Sequence, residues 1–112
     1  MEKYLSRPEE MVLLTVWKLG ANAYGVTIRE HLQKITGKYW SIGAIYVPLE
    51  RLEKKGYLKS HQSQPSPERG GRRKRIFQMT PHGQSALDQL YELQSELWQG
   101  YGAISVQERK GD

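Results

Sequence analysis

Four consecutive cationic side chains form the most distinctive chemical group in this 112-residue sequence: Arg72, Arg73, Lys74 and Arg75. They begin within residues 62–73, a stretch that has two prolines, two glycines and no large apolar side chain, which predicts a loop at the tip of a hairpin. Cations on such a loop neutralise phosphate groups, although a basic hairpin tip can also be simply solvated. The group therefore favours a polyanionic partner.

The charge of the whole chain supports this interpretation. Lys and Arg number 17 against 12 acidic residues, giving a net charge of +5 and a pI near 9.5. Residues 1–80 hold 15 of the basic and 7 of the acidic residues, a net charge of +8, whereas residues 81–112 carry a net charge of −3. The basic surface thus belongs to the first 80 residues, and we expect the C-terminal segment to have a different role.

Residues that support catalysis or hold metals are present, but their spacing is wrong for either purpose. His31, His61 and His82 form no H-x-x-x-H pattern, and Glu9 with Glu10 fits helix capping better than an acid and base pair. The basic loop lacks the G-x-x-x-x-G-K-[ST] order of a phosphate loop, and the absence of cysteine excludes thiolate metal sites. We therefore expect no enzymatic activity, no cofactor and no metal site.

A helix that begins after Ser41 is predicted to present residues to the partner. Ser41 is a favourable N-cap, and Gly56 after Lys54 and Lys55 predicts the helix end. Apolar residues at three- and four-residue spacings predict one buried face: Ile42, Ile45, Leu49 and Leu52. The opposite face combines small, aromatic and charged side chains: Gly43, Ala44, Tyr46, Val47, Glu50, Arg51 and Lys54.

The neighbouring elements complete a recognisable unit. Val26, Ile28, Leu32 and Ile35 predict the buried face of a helix over residues 24–35, with Asn22 or Thr27 as its cap. A short glycine-containing turn then leads to the Ser41 helix, which is the helix-turn-helix arrangement. Residues 57–61 and 74–80 predict the strands of a hairpin. The expected fold is mainly α with a small β-hairpin, a winged helix-turn-helix.

Two further helices flank this unit. Ser6 with Glu9 predicts a capping box before a helix over residues 8–19, and Thr80 with Pro81 predicts the start of the last helix. Little of the chain remains to cover the apolar stripe of the last helix, which favours dimerisation over packing inside the monomer: Leu87, Leu90, Tyr91, Leu97 and Trp98. We expect one structural domain, with a winged helix-turn-helix in residues 1–80 and a dimerisation helix with a frayed tail in residues 81–112.

The pattern S-x-G-x-I-Y-x-x-L-x-R-L-E-x-x-G-Y-L in residues 41–58, GGRRKRIFQMT in residues 70–80 and T-P-x-G in residues 80–83 together resemble the PadR family of bacterial transcriptional regulators. The resemblance extends upstream through residues 24–28, covers about residues 8–98 and fits a member with a short C-terminal region. One departure is that Val47 separates Tyr46 from Pro48, whereas many members have proline directly after the tyrosine. Because Pro48 lacks the amide that would bond Ala44, we expect a bend or a loosened turn within the helix.

The resemblance implies a repressor that dimerises through its C-terminal helix and binds pseudo-palindromic operators. It also implies a phosphate contact for the Tyr46 hydroxyl; on its own, Tyr46 would more often be a surface or core-edge tyrosine. The Ser41 helix would lie in the major groove, and the helix-turn-helix turn would lie near the backbone. The basic loop would neutralise phosphates or enter the neighbouring minor groove. The predicted DNA-binding residues are Lys38, Tyr39, Trp40, Ser41, Gly43, Ala44, Tyr46, Val47, Arg51, Arg72, Arg73, Lys74 and Arg75.

Trp17 and Trp98 have two interpretations. They belong to the core, or they line a cavity at the dimer interface that accepts a planar aromatic effector.

Two hypotheses of different class remain for the chain. The first is a homodimeric regulator that binds double-stranded DNA, most simply a repressor; the alternative is a winged-helix module that docks an acidic protein surface. The basic loop and the small residues favour DNA, and a single R-G-G triplet is a weak RNA signal. The sequence shows no membrane span and no secretory signal, so we expect a cytoplasmic protein.

Overall fold

The computed structural model describes residues 4–65 and 73–101. Helices α1 (Arg7–Leu19), α2 (Gly25–Thr36) and α3 (Ile42–Lys54) precede strands β1 (Leu58–Gln62) and β2 (Arg75–Met79), and helix α4 (Pro81–Trp98) follows. A 3₁₀ turn at Gly20–Asn22 connects α1 to α2. The expected fold, mainly α with a small hairpin, is confirmed. Among these residues, no helix is both long enough and apolar enough to span a membrane.

The predicted helix starts are set by side-chain caps. The Ser6 hydroxyl accepts from the Glu9 amide at 3.3 Å while the Glu9 carboxylate accepts from the Ser6 amide at 2.8 Å, which completes the capping box. Ser41 and Thr80 cap α3 and α4 in the same way, accepting from amides three residues later. The cap predicted for α2 at Asn22 or Thr27 falls instead on Tyr24, whose amide donates to the Thr27 hydroxyl.

The core lies between α1, α2, α3 and the hairpin. Its fully buried large side chains come from each of these elements: Val12, Leu13, Val16, Ile28, Ile45, Leu49, Leu52, Leu58 and Phe77. The prediction that Val26, Ile35 and Ile42 are buried was wrong, because all three are exposed. Each lies in the first or last turn of its helix, so helical spacing gives their face correctly but not whether a neighbour extends far enough to cover them.

The hairpin is attached to the helices at its base. Strands β1 and β2 pair antiparallel from Leu58 opposite Met79 to Gln62 opposite Arg75. The amide of Phe77 donates to the Ala23 carbonyl at 2.8 Å, which joins β2 to the segment that precedes α2. The Thr80 amide donates to the Tyr57 carbonyl at 3.1 Å. The first bond fixes the hairpin, here called the wing, relative to the start of α2. The Tyr57 amide donates to the Leu52 carbonyl at 2.9 Å, which ties the wing to α3.

Helix α4 is covered by its own chain along only one part of its length. Leu90 is buried, and three other apolar residues pack partly against the core: Ala86, Leu87 and Leu93. The expectation that this stripe has little of its own chain to cover it is therefore wrong for these residues. Tyr91, Leu97 and Trp98 are 72%, 73% and 62% exposed. The end of the predicted tail, residues 102–112, lies outside the described residues.

Candidate nucleic-acid interface

Helix α3 presents one long exposed face. The helix is continuous from Ile42 to Lys54 through Pro48, which is buried, and the bend or loosened turn expected there stays a prediction. With about 100° of rotation per residue, Gly43, Ala44, Val47 and Arg51 fall on one side of the helix, and all four are exposed. This side matches the predicted DNA-binding face.

Tyr46 lies at the edge of that face and packs against α2. Its ring is half-buried and contacts the core. A Cβ atom added to Gly25 would lie 2.2 Å from the Tyr46 hydroxyl oxygen, so any other residue at position 25 would displace this ring from its observed position. Gly25 is thus a positioning residue for Tyr46 that was not among the predicted site residues. Its signal was present in the sequence, because Gly25 belongs to the upstream stretch that resembles the PadR family.

The turn between α2 and α3 is organised around Trp40. Its amide donates to the Gln33 side chain, its indole Nε1 donates to the Thr36 hydroxyl, and its carbonyl accepts from Arg29 Nε at 2.6 Å. The Arg29 guanidinium also lies 5.1 Å from the centre of the Tyr39 ring. Trp40 therefore holds the turn together, and its predicted contact with DNA remains a prediction.

Tyr39 and Lys38 are exposed in the same turn, as a contact with a phosphate backbone requires. Arg29 lies beside them and was also missing from the predicted site. No motif marked it, because the bond from Arg29 to Trp40 spans eleven residues and depends on the packing of α2 against the turn.

Arg75 occupies a different place from the one that a phosphate-binding role would suggest. Its guanidinium pairs with Glu50 at 2.5 Å and with Glu53, both on α3, and its Nε donates to the Ser60 hydroxyl at 3.1 Å. The Phe77 ring lies beneath it at 4.8 Å. These contacts join the wing to α3. The bond to Glu50, although opposed by burial, raises the pKa of Arg75 above its usual range.

The other predicted wing cations differ in their exposure. Arg73 is exposed at the end of the wing. Lys74 is half-buried, with its ammonium 4.0 Å from the centre of the Tyr24 ring and its amide donating to the Ser63 hydroxyl. Lys74 therefore lies at the junction of the wing and the start of α2. Arg72 lies outside the described residues.

An ion pair between a buried carboxylate and a partly exposed lysine joins α1 to the end of α3. Glu9 is buried, and its carboxylate accepts from Lys55 Nζ at 2.7 Å. Burial alone would raise the pKa of Glu9, but the hydrogen bonds from Lys55 and from the Ser6 amide outweigh burial and lower it. Glu9 is thus ionised and fully partnered in the native protein.

Trp17 borders two grooves. One, of about 860 Å³, lies between α1 and the wing and includes Val16, His61, Lys74 and Phe77 in its lining. The other, of about 290 Å³, lies between α1 and α4. Trp98 lines neither groove and packs edge-on against Tyr101 at 5.2 Å. Within a single chain, neither of these two grooves is lined by both tryptophans.

Within residues 4–65 and 73–101, no cluster of three or more histidine, cysteine or acidic side chains is arranged to hold a metal ion. What the surface offers is an exposed helix face between an anchored turn and an anchored, partly basic hairpin. That geometry defines a winged helix-turn-helix protein of the nucleic-acid-binding class.

The chain belongs to the transcriptional regulator PadR-like family, whose profile matches residues 13–89. Members of this family are DNA-binding transcriptional regulators, so the chain is a regulator of that kind and not an enzyme. Family membership favours DNA over the acidic protein surface considered as the alternative partner. A search of curated proteins found no significant match.

Solved structures of similar proteins agree with the fold. A PadR-like transcription factor from Bacteroides fragilis is 21% identical, with 88% of this chain and 92% of that one covered and a TM-score of 0.67. A PadR family regulator from Eggerthella lenta is 23% identical, covers 84% and 80% of the two chains and has a TM-score of 0.64. One from Clostridium difficile is 26% identical, with 87% and 95% covered and a TM-score of 0.56.

Proposed function

We propose that this chain is a cytoplasmic, homodimeric repressor that binds a pseudo-palindromic operator. The observation that carries the proposal is the division of its exposed surface. One side combines a free helix face with cations, and the distal part of α4 combines exposed Leu97, Trp98 and Tyr91. The first surface suits a duplex and the second suits another copy of the chain.

On the DNA side, the first turns of α3 would enter the major groove, which is wide enough to admit a helix. Gly43 and Ala44 permit a close approach of the helix backbone, and Arg51 and Lys54 extend along the same face. Lys38, in the turn before α3, and Arg73, on the wing after it, would each contact phosphates of the DNA backbone. Arg72 would add to the wing contacts.

On the dimer side, a second copy is the occupant that accounts best for the exposed residues of α4. A two-fold axis brings the same apolar patch of both chains together, so a single stripe supplies both halves of the interface. Leu14 and Trp17 of α1 are also exposed and border the groove beside Tyr91, which extends the apolar surface onto a second helix. Two recognition helices held by such an interface would require an operator with two related half-sites. A dimer seated over a promoter would block transcription.

An electrophoretic shift with the DNA upstream of the chain's own gene tests the proposal directly. If a dimer neutralises about 6 to 8 phosphates, log K should fall with log salt concentration at a slope of roughly −5 to −7. A reporter placed behind the shifted DNA should be silenced by the protein. A salt-independent complex, or a monomer that ignores duplex DNA in dilute buffer, would contradict the proposal.

Control by a planar aromatic effector is the remaining part of the proposal. Trp17 lies between two grooves and is 60% exposed, so a flat ligand in either groove would contact its indole. Trp98 would share that site only if the second copy supplied it. The test is titration of the protein with planar aromatic drugs while tryptophan fluorescence is followed. Trp17→Phe should remove the response, Trp98→Phe reports whether the partner contributes, and no response in the unmodified protein would count against an effector.

A further inference from the structure

The part of α3 that would lie deepest in a major groove carries no side chain able to form hydrogen bonds. Gly43, Ala44 and Val47 occupy the exposed face in its first two turns, and Val47 is 50% exposed near the centre of that face. Ser41 precedes the helix as its N-cap, so it lies beside this face and not on it; its hydroxyl oxygen accepts from the Ala44 amide at 3.1 Å and its O–H can still donate.

The polar residues of α3 beside this face are held elsewhere. The Tyr46 hydroxyl lies against Gly25 of α2, and Glu50 and Glu53 pair with Arg75 of the wing. Arg51 and Lys54 are exposed but lie in the last turns of the helix. The first two turns therefore offer only methyl groups and open backbone to base edges.

Among the groups that the major-groove edges of the four bases present, the 5-methyl of thymine is the one that an apolar side chain can contact. We infer that Val47, assisted by the methyl of Ala44, recognises a thymine methyl in each operator half-site. This inference rests on the proposed function and adds the chemistry by which the helix would read sequence. Val47 is then a specificity-determining residue, while the cations supply affinity that does not depend on sequence.

The test begins with a randomised duplex pool from which the full-length protein selects its binding sites. Each thymine of the selected site is then replaced in turn by deoxyuridine, which removes the 5-methyl and leaves base pairing and the minor groove unchanged. Replacing the contacted thymine should weaken binding by about fourfold per half-site, the value of one buried methyl group. Replacement in both half-sites should weaken it by about fifteenfold, and replacement outside the half-sites should have no effect.

For one half-site, the ratio of the affinity for the thymine site to that for the deoxyuridine site should fall from about fourfold to below about threefold in Val47→Ala. The reason is that only the alanine methyl remains to contact the thymine methyl. Val26→Ala is the matched control, since Val26 is a valine of similar exposure on α2, outside the α3 face, and its loss should leave the ratio unchanged. A selected site without thymine dependence, or a ratio that Val47→Ala does not alter, overturns the inference alone. Failure to select or bind any duplex overturns the proposed function as well.

Discussion

The α3 and wing side of the molecule differs from the distal half of α4 in how its side chains are partnered. Around α3, long-range pairs within one chain fix each element: Arg75 with Glu50 and Glu53, and Arg29 with Trp40. On distal α4, Leu97 and Trp98 remain exposed. A single chain therefore builds the α3 and wing side, which would face DNA, whereas in the proposed dimer a second copy would cover the distal α4 surface.

This difference has a thermodynamic consequence. Interactions inside one chain contribute the same stability at every protein concentration, whereas an interface between copies stabilises by mass action. Changes on the α3 side should thus act independently of concentration, and changes on distal α4 should act through dimerisation. The two kinds of change can be separated by substitution.

The largest effect is expected from Leu97→Asp. Placing a charge in a symmetric apolar interface affects both copies, and the loss should reach about 4 kcal/mol of dimerisation free energy at hot-spot values of about 2 kcal/mol per side. Sedimentation equilibrium should then show a monomer at concentrations where the unmodified protein is a dimer, and the thermal midpoint should no longer depend on concentration.

Leu97→Ala is the milder companion of this variant, and Ser95→Asp is its charge control, since Ser95 is an exposed polar residue of the same helix. Circular dichroism should show the same helix content in the Leu97→Asp variant as in the unmodified protein, because Leu97 contacts little of its own chain. A dimer that survives Leu97→Asp unchanged would move the proposed interface away from distal α4.

The next largest effect is expected from Lys55→Gln, which removes the partner of buried Glu9. An unpaired buried carboxylate costs several kcal/mol, but Lys55 is partly exposed, so we expect a loss of about 2 kcal/mol in the free energy of unfolding at neutral pH. Lys54→Gln is the matched control, because it removes an exposed charge one residue earlier in the same helix. Urea unfolding should give the same difference in the free energy of unfolding between Lys55→Gln and Lys54→Gln at two protein concentrations, because the Glu9–Lys55 pair lies within one chain.

The same pair predicts how stability changes with pH. Because the native protein lowers the pKa of Glu9 below its ordinary value of 4.5, the pair's contribution is present above that value and is lost as pH falls through the lowered pKa. In Lys55→Gln the lowering by Lys55 is gone, so the contribution of Glu9 should already be absent at neutral pH. A pH profile that is identical in the two proteins would show that Lys55 does not set the ionisation of Glu9.

Many of these side-chain contacts could not be predicted from the sequence. Caps at Ser6, Ser41 and Thr80 were predictable, because each depends on residues within one turn. The role of Arg75 was not, because its partners lie 22 and 25 residues away and depend on the register of the hairpin. The basic run in the sequence showed that Arg75 is part of a positive cluster, but it did not show which side chains Arg75 contacts.

The apolar residues show the same limit. Helical spacing placed Ile28 and Leu32 in the core correctly, yet it placed Ile35 there too, and Ile35 is exposed. The stripe on α4 was recognised as a whole, but the sequence did not indicate that Leu90 packs on its own core and Leu97 does not. Periodicity defines a face of a helix, and the length over which a neighbour covers it is a tertiary property.

Arg75→Gln and Arg73→Gln would separate a cation that positions the wing from one that is proposed to contact phosphate. Loss of Arg75 should free the wing from α3 and leave Glu50 and Glu53 near the duplex, lowering operator affinity by about 1.5 kcal/mol, roughly tenfold. Because the Arg75 charge is already paired, the slope of log K against log salt should stay unchanged. Arg73→Gln should instead reduce the magnitude of that slope by about one for each protomer. Equal changes of slope in both variants would contradict the assignment of Arg75 to the contact between wing and helix.

The smallest effect is expected from Tyr46→Phe, which removes a single hydroxyl group. If that hydroxyl donates to a phosphate, operator affinity should fall by about 1 kcal/mol, close to fivefold, without a change in thermal stability. Tyr91→Phe is the control on the α4 side and should leave operator affinity intact. Fluorescence anisotropy with a labelled operator resolves a difference of this size. Equal affinities of Tyr46→Phe and the unmodified protein would mean that the hydroxyl remains against Gly25 in the complex, so that the ring contributes only packing to the DNA-facing side.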